Sequence, residues 1–424
     1  MKGDKMGKDS KLKRNFMLLI ILTLSGSFIY TLPYFRSYYY DAFMSAFHMT
    51  NTQMGLCGTY FGLFGAVSYL IGGVIADKFS IKKLIPFSLI VTGGLGFCLL
   101  ASPSPMIIIA IHGVWGITSL MTFWPALIKA IRMLASSDEQ GKAFGIFEGG
   151  RGISNAAYLA IAVAMFGYFT AKSGEKMGVR SIVIFYSAAT VLLGICSIFL
   201  LKGIEEEKGS TGDSFNIRKV GTVLKMPATW LLIGIIFCTY TANISYYYIA
   251  PYATAAFGTT AVIAAIISSS SQYIRPFAAI GAGVLGDKIN SSKVMLAGTL
   301  MTVLGLGVVL VTPENSSVIL ILIGCVLIYA SMYITQSMHF ALMEESEFPS
   351  EITGTAVGII CCLGYLPEAV CPFFAGRMLD NFKGTEGYKM IFVAWMAVTI
   401  IGVLLTIVWL KVTKEKRKEL LKKK

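Results

Sequence analysis

Charge is what this sequence has least of. Of its 424 residues, only 14% are Asp, Glu, Lys or Arg, and histidine occurs three times. Histidine is the commonest metal ligand and a frequent general base, so its scarcity already narrows the chemistry. The eight cysteines are scattered through apolar stretches, with Cys361–Cys362 the one adjacent pair. That spacing gives neither a metal set nor a disulfide framework. No nucleophile–base pair and no phosphate loop can be picked out, which speaks against an enzyme, and no cofactor is expected. Polar sequence is also short: the segment Lys202–Lys225 leaves no room for an extra cytoplasmic domain.

What the chain has instead is apolar length. It is 55% hydrophobic, and its apolar runs recur at about 20 residues, the length that crosses a bilayer as helix. We count twelve such runs. They cover Asn15–Phe47, Gln53–Ala76, Leu84–Ala101, Met106–Met133, Lys142–Tyr168 and Ser181–Leu201, then Pro227–Tyr252, Thr259–Gly286, Val294–Val311, Ser317–Met343, Thr353–Phe374 and Tyr388–Leu410. The expected fold is an all-α membrane protein of twelve transmembrane helices. Residues 202–225, with Glu205–Glu207, glycine and serine, read as a linker between a half at 1–201 and a half at 226–424. The first run is too long for a signal peptide and is kept as a span.

The net charge of +13 sits mostly at the ends, from Lys2 to Arg14 and from Lys411 to Lys424. Basic flanks mark the cytoplasmic side of a membrane protein. Both termini are therefore expected in the cytoplasm, in the cell (plasma or inner) membrane. The partner for this charge is the lipid bilayer and not nucleic acid.

The two halves echo each other. After the second run the chain reads Gly73-Val-Ile-Ala-Asp77-Lys78-Phe-Ser-Ile-Lys82-Lys83, and after the eighth, Gly283-Val-Leu-Gly-Asp287-Lys288-Ile-Asn-Ser-Ser-Lys293. Glycine, acid and base recur 210 positions apart, from 77 to 287, which is the mark of internal duplication. The first copy resembles the cytoplasmic loop motif of the major facilitator superfamily, with Ser80 where that family usually has glycine. The resemblance covers nearly the whole chain. It implies two pseudo-symmetric six-helix halves, a monomer, and transport by alternating access. It also implies that Asp77 faces the start of span eleven and Asp287 the start of span five, latching the outward-open state through the positive end of a helix dipole.

Ionisable residues inside the runs are the candidates for function. A charge at the centre of a bilayer helix costs roughly 2.5–3.5 kcal/mol on insertion scales, so it is seldom kept without use. Glu148 and Arg151 lie three apart in Gly145–Asn155, within span five, on one helix face. Four glycines there (Gly145, Gly149, Gly150, Gly152) would let a helix or a ligand approach. Arg36 is late in span one, Lys129 late in span four, Arg275 mid-way in span eight and Glu368 in span eleven. In the superfamily's fold these spans line or flank the central cavity. The cationic excess suggests an anionic substrate, since a guanidinium holds carboxylate, phosphate or sulfonate bidentately.

Arg36, and Trp124-Pro125 preceding Lys129, also resemble the organophosphate:phosphate antiporter branch. Its polar residue and histidine, three apart in span five, are replaced by Glu148 and Arg151, and its second arginine lies in span seven, not span eight. Arg36, Lys129, Arg151 and Arg275 are thus expected to bind substrate, with Tyr240, Asn243 and Gln336 as polar contacts. Tyr240 belongs to a span-seven cluster with Tyr246, Tyr247 and Tyr248, which reads equally as an interfacial belt. Glu148 and Glu368 are the residues that can couple protons. His112 and His339 read as helix-contact residues.

The expected activity is secondary transport of a small organic anion, by proton symport or by exchange against a counter-anion. Two alternatives stand beside it. One is export of a neutral or amphipathic compound with the buried charges purely structural. The other is a transporter-like sensor.

Overall fold

A chain that crosses lipid must satisfy its backbone internally, which leaves helix or closed barrel. The computed structural model describes residues 11–136, 139–203, 217–346, 348–349 and 352–423, and among these there is helix and no strand. The bundle helices are α1 (Phe16–Phe28, continued by Thr31–Tyr38), α2 (Asn51–Lys78), α3 (Ile81–Ala101), α4 (Pro105–Leu134), α5 (Gln140–Ser173) and α6 (Glu175–Leu200). Then come α7 (Pro227–Phe257), α8 (Ala261–Ile289), α9 (Ser291–Val311), α10 (Val318–Glu344), α11 (Thr353–Asn381) and α12 (Glu386–Val412). Most of the 202–225 linker, residues 204–216, and the basic residues before Lys11 lie outside the described residues.

Among the described residues, ten helices are long and apolar enough to cross a membrane, or eleven if the bent α1 pair is one span. The twelfth of the expected spans is α8. It has 29 residues, but it carries Ser268–Ser271, Gln272 and Arg275 in its middle. It falls short through polarity, not length. That polarity is an early sign that one face of α8 does not meet lipid.

Several helices break where their sequence removes a backbone donor. Pro33 has no N–H for the carbonyl of Ile29, and α1 bends there by 43°. In α11, Pro367 opens a second helical segment after a break at Tyr365–Leu366. Proline is tolerated at that first helical position. In α4 the stretch Ile117–Phe123 is wound as π-helix, just before Trp124-Pro125. Such bulges mark functional stretches of helices.

The core shows how the halves meet. One end of the bundle carries the basic segments. There, the amide N–H of Leu12 donates to Glu139 Oε2 (3.1 Å), Lys82 Nζ donates to the Lys202 carbonyl (3.1 Å), and Trp409 Nε1 donates to Glu345 (3.0 Å). At this basic end the apolar residues form two separate cores. Leu19, Ile85, Leu127 and Phe147 make one; Ile236, Met295, Met338 and Trp409 make the other. At the far end a single core runs through both halves, from Phe43 and Trp115 to Tyr252 and Phe392. The halves are joined at the far end and parted at the basic end, leaving a cleft between them.

Candidate substrate cavity

The far end is closed by α2 against α11. Asp380, at the end of α11, accepts from the backbone N–H of Asn51 (3.0 Å) and Thr52 (2.8 Å) and from Asn51 Nδ2 (3.0 Å). The first amides of a helix have no intrahelical acceptor, so a carboxylate there meets both unpaired donors and dipole. Below this contact the two backbones touch. A Cβ added at Gly62 would stand 2.5 Å from the Glu368 carbonyl carbon, and one at Gly376 would strike the carbonyl of Asn51. Only glycine allows that approach. On the opposite wall, α5 meets α8 through Asn155 Nδ2, which donates to Gln272 Oε1 (3.4 Å).

Beneath these contacts lies a cavity in two lobes of about 1000 and 840 Å³ that share walls at Tyr34, Arg151, Gln272, Arg275 and Glu368. One lobe reaches the basic end past Asp77, Lys129 and Arg132. The other opens sideways between α5 and α8, where Ile153, Phe277 and Ile280 are exposed. Of the glycines in Gly145–Asn155, Gly145, Gly149 and Gly152 line this lobe with no neighbour within 4 Å of an added Cβ, whereas Gly150 packs on Thr23 of α1. Three of the four keep the wall open, and one serves helix packing.

Three charges meet at the centre. Arg151 Nη1 donates to both oxygens of Glu148 (3.1 and 3.2 Å). Arg275 Nη2, from the other half, stands 3.8 Å from Glu148 Oε2. The Arg151 guanidinium lies 4.9 Å over Trp124 and 5.4 Å over Phe147, and that of Arg275 lies 5.6 Å over Tyr333. Aromatic faces orient a guanidinium without consuming its N–H donors. Glu148 remains half exposed at 50% of its side chain, Arg151 only 10%. The site therefore holds two positioned cations against one carboxylate.

Glu368 is a separate centre. It sits in the first turn of the second α11 segment, buried, where the helix N-terminus favours a carboxylate. Tyr240 OH donates to its Oε2 (3.0 Å) and Tyr247 OH to its Oε1 (2.9 Å). Hydroxyls and a helix end thus take the place of a cation. Glu368 lines the cavity by its side chain and forms the α2–α11 seam by its backbone.

The structure does not bring the remaining candidates to this centre in the same way. Arg36 is buried in the far-end seam, with Nη1 donating to the Met54 carbonyl (3.4 Å) and Nη2 against Gly58. It is not on the cavity wall. Lys129 is at the basic mouth, donating to the Ala76 carbonyl (2.8 Å) and pairing with Asp77 (3.5 Å). Asp77 thus engages α4 of its own half. Gly73 lines the same lobe. Ser80 accepts from the Lys82 amide (3.2 Å) and caps α3, a role the family's usual glycine lacks a side chain to fill. Asn243 and Gln336 line the cavity, Asn243 donating to Thr335 Oγ1 (3.3 Å). His112 bonds the Ile108 carbonyl (2.8 Å), and His339 joins Thr239 (3.0 Å) and Tyr365 (3.1 Å); both are contacts between or within helices.

Sequence reading passed over Gln272. Its Nε2 donates to Tyr38 OH (3.2 Å) and Tyr333 OH (3.0 Å), so with Asn155 it ties α1, α5, α8 and α10 at the cavity roof. Its spacing of three from Arg275, on the same helix face, was the available signal. Asn155, four after Arg151, carries the equivalent signal on α5.

Comparison with known proteins places this geometry. A family model described as Major Facilitator Superfamily matches residues 15–370 and 236–424. The inner membrane protein YihN of Escherichia coli K12 is 28% identical over 96% of this chain and 98% of its own. The inner membrane protein YqcE of the same organism is 29% identical over 91% and 92%. Among solved structures, a bacterial homologue of the human lysosomal transporter Spinster, inward-facing and unoccupied, superimposes with a TM-score of 0.78. It is 15% identical and covers 98% of this chain and 99% of that one. A D-xylose–proton symporter superimposes with a TM-score of 0.69 at 16% identity, over 93% and 97%. At such identities the likeness is one of fold.

Proposed function

Since the chain belongs to the Major Facilitator Superfamily, we propose that this secondary transporter moves a small organic anion (a carboxylate, phosphate ester or sulfonate) by alternating access in the inner membrane. The observation that carries the reading is the bridge of Glu148 to Arg151 and Arg275. One carboxylate shared by two guanidinium groups from opposite halves is a placeholder that an incoming anion can displace. Binding then trades an internal contact for a substrate contact to both halves, which is what a rocking motion needs.

With the basic end in the cytoplasm, the closed far end and open basic end describe an inward-open state. Asp77 on Lys129 is then the released form of the loop latch, and Asp287 is its counterpart in the second half. Glu368 takes up the coupling proton in a symport cycle; in an exchange cycle a counter-anion takes the arginines instead. The sideways opening between α5 and α8, edged by Ile153, Phe277 and Ile280, favours one variant of this reading, in which an amphipathic anion enters from the bilayer. Uptake of labelled anions into proteoliposomes tests the proposal. Transport that survives Arg275→Ala and Arg151→Ala would refute it.

A further inference from the structure

Two buried polar atoms on one face of α5 have no partner: Arg151 Nε and Asn155 Oδ1. Their residues are only 9% and 8% exposed, and both line the cavity lobe that runs to the basic end. At a spacing of four they are neighbours on the helix surface, about 5–6 Å apart at Cβ. Arg151 Nη1 and Asn155 Nδ2 are already in use. Arg151 Nη1 holds Glu148, and its plane lies on Trp124. Asn155 Nδ2 donates to Gln272, whose own Nε2 is taken by Tyr38 and Tyr333. What remains buried and unmatched is one cationic donor and, a turn along, one neutral acceptor. Buried polar groups are almost always paired in proteins, so two orphaned atoms in residues that line the cavity, closed off in this state, mark groups that a ligand can pair when it displaces Glu148.

We propose that the cargo is a hydroxylated organic anion, with its anionic group on Arg151 and Arg275 and a hydroxyl a few bonds away on Asn155. This rests on the anion reading above and goes further in making Asn155 the residue that sets specificity. An anion accepts from Arg151 Nε as it displaces Glu148. A hydroxyl donates to Asn155 Oδ1, and because it both donates and accepts it satisfies either orientation of that amide. A site built to bond a substrate hydroxyl discriminates strongly against the analogue that lacks it, because the protein's group is then left unpaired. Arg151 and Asn155 move together on α5, while Arg275 and Gln272 move on α8. The ligand therefore reads the spacing between the halves.

The test is binding of matched anions to the purified full chain in detergent, by thermal shift and calorimetry. The pairs are glycerate and propionate, glycerol 3-phosphate and propyl phosphate, isethionate and ethanesulfonate. In at least one pair the hydroxylated member is expected to bind about tenfold tighter or more. Asn155→Ala should bring that pair to near equality by weakening the hydroxylated member alone, and Asn155→Ser, which keeps a hydroxyl, should restore part of the preference. If the variants fail to fold, the wild-type ratios decide. Equal affinity within every pair, with both members lost in Arg275→Ala, would overturn the role of Asn155 and leave the anion reading standing. Binding of none of the six would overturn the anion reading and this inference with it.

Discussion

Glu148 of α5 and Arg275 of α8 face each other across the seam between the two halves, with Oε2 3.8 Å from Nη2. The contact is long, half exposed on the carboxylate side, and shared with Arg151. Exposed ion pairs contribute about 0–1 kcal/mol. A bridge of that strength does not compete hard against a ligand. Glu148→Gln removes the internal competitor while keeping the shape. Anion affinity, read by calorimetry, is expected to rise severalfold, with transport slowed because the empty carrier no longer resets. Unchanged affinity would make the bridge a packing feature.

Arg151 is planar, stacked on Trp124 and Phe147, and bonded to both Glu148 oxygens. Lysine cannot reproduce that fork. Arg151→Lys should fold normally and lose about tenfold or more in uptake rate, reflecting about 1.4 kcal/mol of lost ligand contact. Uptake equal to wild type would show that charge alone matters at 151.

Glu368 is bonded by Tyr240 and Tyr247 and makes no ion pair among the described residues. In a symporter, Glu368→Gln is expected to abolish accumulation driven by a pH gradient while anion-for-anion exchange continues. Tyr247→Phe should change the pH dependence of uptake without removing it. Loss of exchange as well would assign Glu368 to binding or folding.

Asp380 ties α11 to the first amides of α2. Removing a helix cap costs about 1 kcal/mol, about fivefold in a two-state population. Asp380→Ala should therefore shift the carrier toward opening at the far end. Cys57 and Cys371 are buried on α2 and α11, each next in sequence to a residue of this seam (Gly58 and Pro372), and serve as native reporters. Their labelling by an impermeant maleimide, resolved by mass spectrometry, is expected to rise about fivefold. No rise would mean that the glycine contacts at Gly62 and Gly376 close the seam unaided.

Much of this was legible in the sequence, and the reasons differ by residue. Apolar length marked the spans, and the repeat at Asp77 and Asp287 pointed to two halves, because both signals are read along the chain without knowing its contacts. Arg151 and Arg275 stood out because a charge in an apolar run is conspicuous. The pairing of Glu148 with Arg151 could be read from their spacing of three, but that Arg275 also reaches Glu148 was not legible, since that contact joins residues far apart in the chain. Arg36 was conspicuous too, yet it lies in the far-end seam: a chain bent by 43° after Phe28 does not announce which way its later residues face. Asn155 and Gln272 were missed for the opposite reason. An amide in a helix costs little, so it draws no attention until its partner across the seam is seen.

The central claim is that an anion replaces Glu148 between Arg151 and Arg275. Its most direct test is uptake of labelled organic anions by proteoliposomes holding wild type, Arg275→Ala or Glu148→Gln. Wild type should transport, Arg275→Ala should fall to the level of empty liposomes, and Glu148→Gln should bind more tightly while turning over more slowly. Full transport by Arg275→Ala would contradict the claim.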